Sequence, residues 1–170
     1  MYLRLSKALS SLLLLTVIFT STAAIAAIQD VSPGTPFTPL EPTREQAVTT
    51  QQILNNLLRG HYELQRLDDR LSSKIFDLYL EDLDGTRSYL LAGDVQSFEK
   101  YRKQFDDVLM RGDLTIPFFI YNRLQQRVNE RLTFMLSELS ERAAEYHFDN
   151  DERLNLDREN APWATSTIEL

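Results

Sequence analysis

The fold is decided by residues 67–105, LDDRLSSKIFDLYLEDLDGTRSYLLAGDVQSFEKYRKQF. Leu71, Ile75, Leu78, Tyr79 and Leu83 recur at steps of three and four, the spacing of one buried stripe on a helix. Gly85 follows the last of them and reads as the stop. Asp94 then precedes Val95, Phe98, Tyr101, Phe105 and Leu109, so its carboxylate is expected to cap a second helix with an apolar stripe of its own. The two helices flank a connection containing Tyr89, Leu90 and Leu91 in a row. Three large apolar residues in a loop need a cover, which is either the local bundle or another domain or partner.

Working outward, the remaining chain carries the same period. Thr43 and Gln46 match a capping box at the start of a helix expected to run to Arg59 and end at Gly60, with Val48, Ile53, Leu54, Leu57 and Leu58 as its stripe. After Gly112 a helix of about thirty residues is expected. Pro117 sits in its first turn, and Tyr121, Leu124, Val128, Leu132, Met135 and Leu139 follow at helical spacing. No stretch alternates as a half-buried strand does, and only 5 glycines punctuate 170 residues. The fold class is therefore all-α, about four amphipathic helices in an irregular bundle.

The ends differ in composition. Residues 1–26 have the three parts of a secretory signal: Arg4 and Lys7, an apolar run over residues 9–19, and the cleavage pattern Ala24-Ile25-Ala26. The apolar run is too short for the roughly twenty residues of a spanning helix. Residues 27–42 form a linker holding four prolines, the helical domain covers 43–147, and an acidic tail without a stripe occupies 148–170. Leu154, Leu156 and an exposed Trp163 give that tail apolar points, and an end of this kind suggests truncation. The chain has no cysteine, which removes disulfides and the attachment point of a bacterial lipoprotein. Export without a lipid anchor reads as periplasmic.

Losing Arg4 and Lys7 with the signal leaves 16 of 18 basic residues against 25 acidic ones, a net charge near −9. A field of that sign disfavours nucleic acid and anionic membrane surfaces as partners.

The chemistry of catalysis is sparse. His61 and His147 lie at helix ends, where capping or surface packing suffices. Lys74, Lys100 and Lys103 face no serine in a base's position, since Ser72 and Ser73 stand one and two residues from Lys74. Cysteine is absent and histidine unclustered, so no zinc site is expected. The calcium-like run Asp149, Asp151, Arg153, Asn155 lacks the glycine and closing glutamate of a real loop. Asp68-Asp69 reads as a helix cap and first-turn charge, and Asp106-Asp107 as exposed helix carboxylates. Phe98, Tyr101, Phe105, Phe118, Phe119 and Tyr121 have the spacing of a core rather than of a ligand box. No catalytic, cofactor or metal residue is assigned.

The pattern H61-Y62, L67-D68-D69, S73-x-I75-F76-D77-x-Y79-L80, L83-D84-x-x-R87-S88-Y89-L90-L91-A92-x-D94, F98, followed by N155-L156-D157-R158-x-x-A161-P162-W163, resembles the N-terminal region of the tail-specific, or carboxy-terminal processing, proteases of Gram-negative bacteria. The resemblance runs essentially from residue 42 to residue 163. It implies a periplasmic serine endopeptidase in which a helical domain precedes a PDZ domain, a serine-lysine catalytic core and a C-terminal helical domain. The positions that would match the dyad do not exist here, so the chain is expected to be no enzyme by itself. As partners the resemblance implies the missing PDZ and protease domains, a periplasmic or lipoprotein adaptor, and the parent's protein substrates, with no nucleic acid and no metal. Arg87, Tyr89, Leu90, Leu91, Leu156 and Trp163 are the expected interdomain or partner contacts. The rival reading is a stand-alone exported helical binding module.

Overall fold

A computed structural model describes residues 37–60, 66–147, 151, 153 and 156–170. The signal segment, most of the linker, His61, Asp149, Leu154 and Asn155 lie outside them. The described residues form five α-helices and no strand: α1 (Arg44–Gly60), α2 (Asp69–Asp84), α3 (Ala92–Phe98), α4 (Phe105–Arg111) and α5 (Thr115–Arg142), with short 3₁₀ turns at Glu99–Tyr101 and Ala143–Glu145. The chain is all-α, as its periodicity predicts. None of these helices is long and apolar enough to cross a membrane.

Local signals account for most helix ends. The Thr43 N–H donates to Gln46 Oε1 (2.8 Å) and the Gln46 N–H donates to Thr43 Oγ1 (3.2 Å), a reciprocal capping box. Asp68 caps α2 by accepting from the Leu71 N–H at 3.0 Å. Gly112 ends α4 in the left-handed region at φ 69°, where its N–H reaches back to the Leu109 carbonyl. A Cβ there would lie 2.9 Å from the Gln51 side chain, so α1 crosses α4 at a point where only glycine fits. Gly85, by contrast, is right-handed, at φ −60°. The left-handed turn falls two residues later, at Arg87 (φ 50°).

The core is built where α2, α4 and α5 meet. Phe76, Leu80, Leu90, Phe98, Phe105, Ile120 and Leu124 form one buried cluster. The Phe76 and Phe105 rings meet edge to face at 5.9 Å, and Phe98 meets Phe119 likewise at 6.0 Å. Edge-to-face contact sets the ring edge of one aromatic against the negative face of the other. The Tyr79 hydroxyl donates to the Pro117 carbonyl at 2.9 Å, tying α2 to the first turn of α5. Burial, then the nearby Tyr121, raises its pKa to about 12.

Four expectations are corrected by the packing. The α2 stripe is rotated: Leu78 is 48% exposed, while Ser72, Phe76, Leu80 and Asp84 are buried. The single helix expected after Asp94 is two helices and a 3₁₀ turn. The break is made by Ser72, whose fully buried hydroxyl donates to the Arg102 carbonyl (2.9 Å) and accepts from the Phe105 N–H (2.9 Å). A side chain on α2 thus ends one helix and starts the next. The stripes on α1 and on the second half of α5 are only partly covered among the described residues: Leu54 and Leu58 are half-buried, but Leu57 and Leu139 are 55% and 57% exposed, and α1 buries no residue fully. Asp106, finally, is half-buried rather than exposed.

Candidate functional site

The connection after α2 is organised by a carboxylate. Asp84, 3% exposed, accepts the Ser88 N–H on Oδ1 (2.8 Å) and the Tyr89 and Leu90 N–H groups on Oδ2 (3.0 and 2.8 Å). A buried carboxylate that accepts three backbone N–H groups fixes the path of the loop, because each released donor loses a charge-assisted bond away from water. The loop so fixed sends Leu90 fully into the core and lays Tyr89 against it. Arg87, in its left-handed turn, presents its carbonyl outward.

The tail returns to that loop. Arg158 donates from Nη2 to the Arg87 carbonyl (2.9 Å) and from Nε to the Thr86 carbonyl (3.3 Å). The Arg87 guanidinium lies 5.3 Å from the centre of the Trp163 ring, a cation–π distance. The Ala92 N–H donates to the Ala164 carbonyl at 2.8 Å, so the tail also satisfies a free donor at the start of α3. Trp163 is half-buried against the core, not exposed as the sequence suggests. Of the six residues singled out in the sequence, Arg87, Tyr89, Leu90 and Trp163 come together here. Leu91 lines the neighbouring groove, and Leu156 stands clear at 84% exposure.

A second polar cluster locks α3 to α5. Asp94 is buried and is not the N-cap residue, which is Leu91; its carboxylate makes the return bond of a capping box from the third helical position. It sits three residues inside, accepts the Leu91 N–H at 3.0 Å, and receives Arg123 Nε on Oδ1 (2.6 Å) and Arg127 Nε on Oδ2 (2.8 Å). Burial pushes the Asp94 carboxyl up, but the Arg127 bond, the Leu91 N–H and then Arg123 outweigh it and hold it below the usual carboxylate range. The same contacts raise Arg127, first through the Asp94 bond.

Both clusters join elements of the fold: Asp84 holds the loop after α2, and Asp94 ties α3 to α5. Their carboxylates are saturated by N–H donors and guanidinium groups, leaving no free base poised beside a nucleophile. Among the described residues no group of three histidine, aspartate or glutamate side chains could hold a metal ion. His147 is exposed at the end of the last 3₁₀ turn.

Sequence reasoning placed Asp84 and Arg158 in the motifs of the resemblance without giving them contacts, and did not read Ser72 or Asp94 as inward residues. One signal was present for Asp84: an acidic residue in the last turn opposes the helix dipole, so it persists where another structure uses it.

Residues 53–170 match the family described as "Tail specific protease N-terminal domain". The chain is also 33% identical over 120 residues to the "Tail-specific protease" of Haemophilus influenzae, an alignment covering 70% of this chain and 17% of that protein. It therefore spans about a sixth of that relative's length. The chain belongs to the tail-specific protease family, and its helical body is the family's N-terminal domain.

Proposed function

We propose that this domain is the non-catalytic N-terminal part of an exported carboxy-terminal processing serine endopeptidase, and that it serves as the scaffold on which the parent's PDZ and protease domains or an adaptor dock. The observation that carries this reading is the pinned tail. Arg158 clasps two loop carbonyls and Trp163 lies under Arg87, so the polypeptide leaves the helical body from one fixed point. A scaffold needs a fixed exit, because a loose one would let any following domain wander. On this reading Leu156 is an outward apolar contact, Arg87, Tyr89 and Trp163 a second one beside the pinned tail, Leu91 a third in the neighbouring groove, and Leu90 acts from beneath by fixing the loop. The Arg4–Lys7 start, the apolar run and Ala24-Ile25-Ala26 support export and cleavage after Ala26, and the lack of cysteine supports a periplasmic protein without a lipid anchor.

The test has two arms. The purified chain should leave a peptide with an apolar C-terminus uncut, and cleavage that survives repurification would overturn the non-catalytic assignment. Arg158→Ala should make the segment after residue 156 more sensitive to limited proteolysis by about tenfold, while leaving the cooperative melting of the helices nearly unchanged. Equal cleavage of both chains would remove the fixed exit and with it the scaffold argument.

A stand-alone exported binding module is the second reading. It is favoured by the outward apolar side chains of α1 and α5, such as Leu57, Phe134 and Leu139. A reading frame that continues past the Leu170 codon into PDZ and protease sequence separates the first reading from the second.

A further inference from the structure

Four residues before α1, the backbone is held by a side chain 82 positions away. The Asn122 carboxamide on α5 accepts the Leu40 N–H on Oδ1 (2.8 Å) and donates from Nδ2 to the Leu40 carbonyl (2.8 Å). One amide bonded to both groups of a single residue reads the main chain, and it does so only when that residue is extended. The neighbouring sequence supplies that conformation. Thr38 and Glu41 each precede a proline, which disfavours helix at both and delivers the segment already extended. The clasp is not needed to start α1, since Thr43 and Gln46 already cap it.

The clasp lies on the edge of a groove. A cavity of about 610 Å³ is walled on one side by Phe37 and Pro39 and on the other by Leu91, Phe98, Phe119 and Arg123. Phe37 is half-buried there. The opposite wall cannot drift, because Asp94 ties α3 to Arg123 and Arg127 of α5. An apolar and aromatic bed beside one backbone-reading amide is the arrangement of a site for an extended peptide. Residues 37–40 precede the stretch 53–170 that matches the family domain.

We infer that the groove between α3 and α5 is a peptide-binding site that recognises an extended, proline-flanked segment through Asn122, and that residues 37–40 take up its Asn122 edge in cis as a displaceable strap. The strap fixes where the linker meets the helical body. Because it is tethered, it acts at an effective concentration of about millimolar, so an added peptide competes weakly until the strap is disabled.

The experiment uses the chain from residue 27 onward, labelled with ¹⁵N, and a synthetic peptide of residues 35–42. Leu40→Pro removes the N–H that Asn122 accepts and leaves the groove intact. In that variant the peptide should shift the Asn122 side-chain amide signals saturably. The wild-type chain should need at least about ten times more peptide, its site being filled already. Asn122→Ala combined with Leu40→Pro should abolish saturable shifts at Gly93 and Ser97, with protection of the Leu90 amide showing that the core remains folded. No saturable shift in Leu40→Pro at up to about 10 mM peptide, or equal binding by all three chains, overturns the inference.

Discussion

Replacing Asp94 tests whether the domain is held by its inward polar clusters as well as by its aromatic core. In Asp94→Ala the Leu91 N–H loses its acceptor and two guanidinium groups lose a buried partner. Breaking a buried pair by removing one partner costs about 3–5 kcal/mol. The figure here belongs at or below the lower end, about 2–3 kcal/mol, because Arg127 keeps Glu130, Arg123 keeps Gln126, and both reach water. With a urea slope of about 1.5 kcal/mol/M, the unfolding midpoint should fall by about 1.3–2 M. Asp94→Asn separates charge from hydrogen bonding, since its side-chain oxygen can still accept from Leu91. The sign of the pH dependence follows from a folded pKa held below its ordinary value of about 3.9. The unfolded chain binds the proton more readily, so the ion pairs stabilise fully above about pH 4 and fade as pH falls through the folded pKa. Wild type should therefore exceed Asp94→Asn at pH 7 and converge on it toward pH 2. Urea titrations followed by far-ultraviolet circular dichroism supply both readings. A cost below about 0.5 kcal/mol for Asp94→Ala, or a gap to Asp94→Asn that does not change with pH, would refute the reasoning.

Two further substitutions probe the loop and the helix break. Leu90→Ala empties a fully buried site in the central cluster and should cost about 3 kcal/mol, read as a lowered thermal midpoint; a change within error would mean that the loop does not close the core. Ser72→Ala removes the hydroxyl shared by the Arg102 carbonyl and the Phe105 N–H and should cost about 1–2 kcal/mol, with exchange of the Phe105 amide accelerated ahead of its neighbours; unchanged exchange at Phe105 would assign the break to another cause.

What the sequence made legible was local. Thr43 with Gln46, Asp68 before α2 and Gly112 after α4 work through partners within a few residues, so their pattern carries their geometry. The aromatic residues were readable as core because helical spacing places them on a face whatever lies opposite. The rotated stripe on α2 was not readable. Leu71, Ile75, Phe76, Leu78, Tyr79, Leu80 and Leu83 cover more than half the helix circumference, and only the approach of α4 and α5 selects Phe76 and Leu80. Polar residues that face inward were hidden for a related reason. Ser72, Asp84 and Asp94 count as surface in any periodicity, yet each is buried because its partners come from a loop or from another helix.

The same asymmetry explains how α5 remains one helix although only its first half is packed. Nucleating a helix is costly and extending one is not, so the turn around Ile120 and Leu124, fixed by the core, starts a helix that the rest can continue. The continuation is then held by its own neighbours: Arg142 bonds Glu138 and Glu145, and Arg127 bonds Glu130, pairs that support a helix already started without being able to start one. Leu132, Met135 and Leu139 keep the spacing of the buried stripe without its burial. An apolar period therefore reports which face of a helix could be covered, and how far the cover extends is decided by the length of the elements that pack against it. Here α2 and α4 end at 16 and 7 residues, while α5 runs for 28.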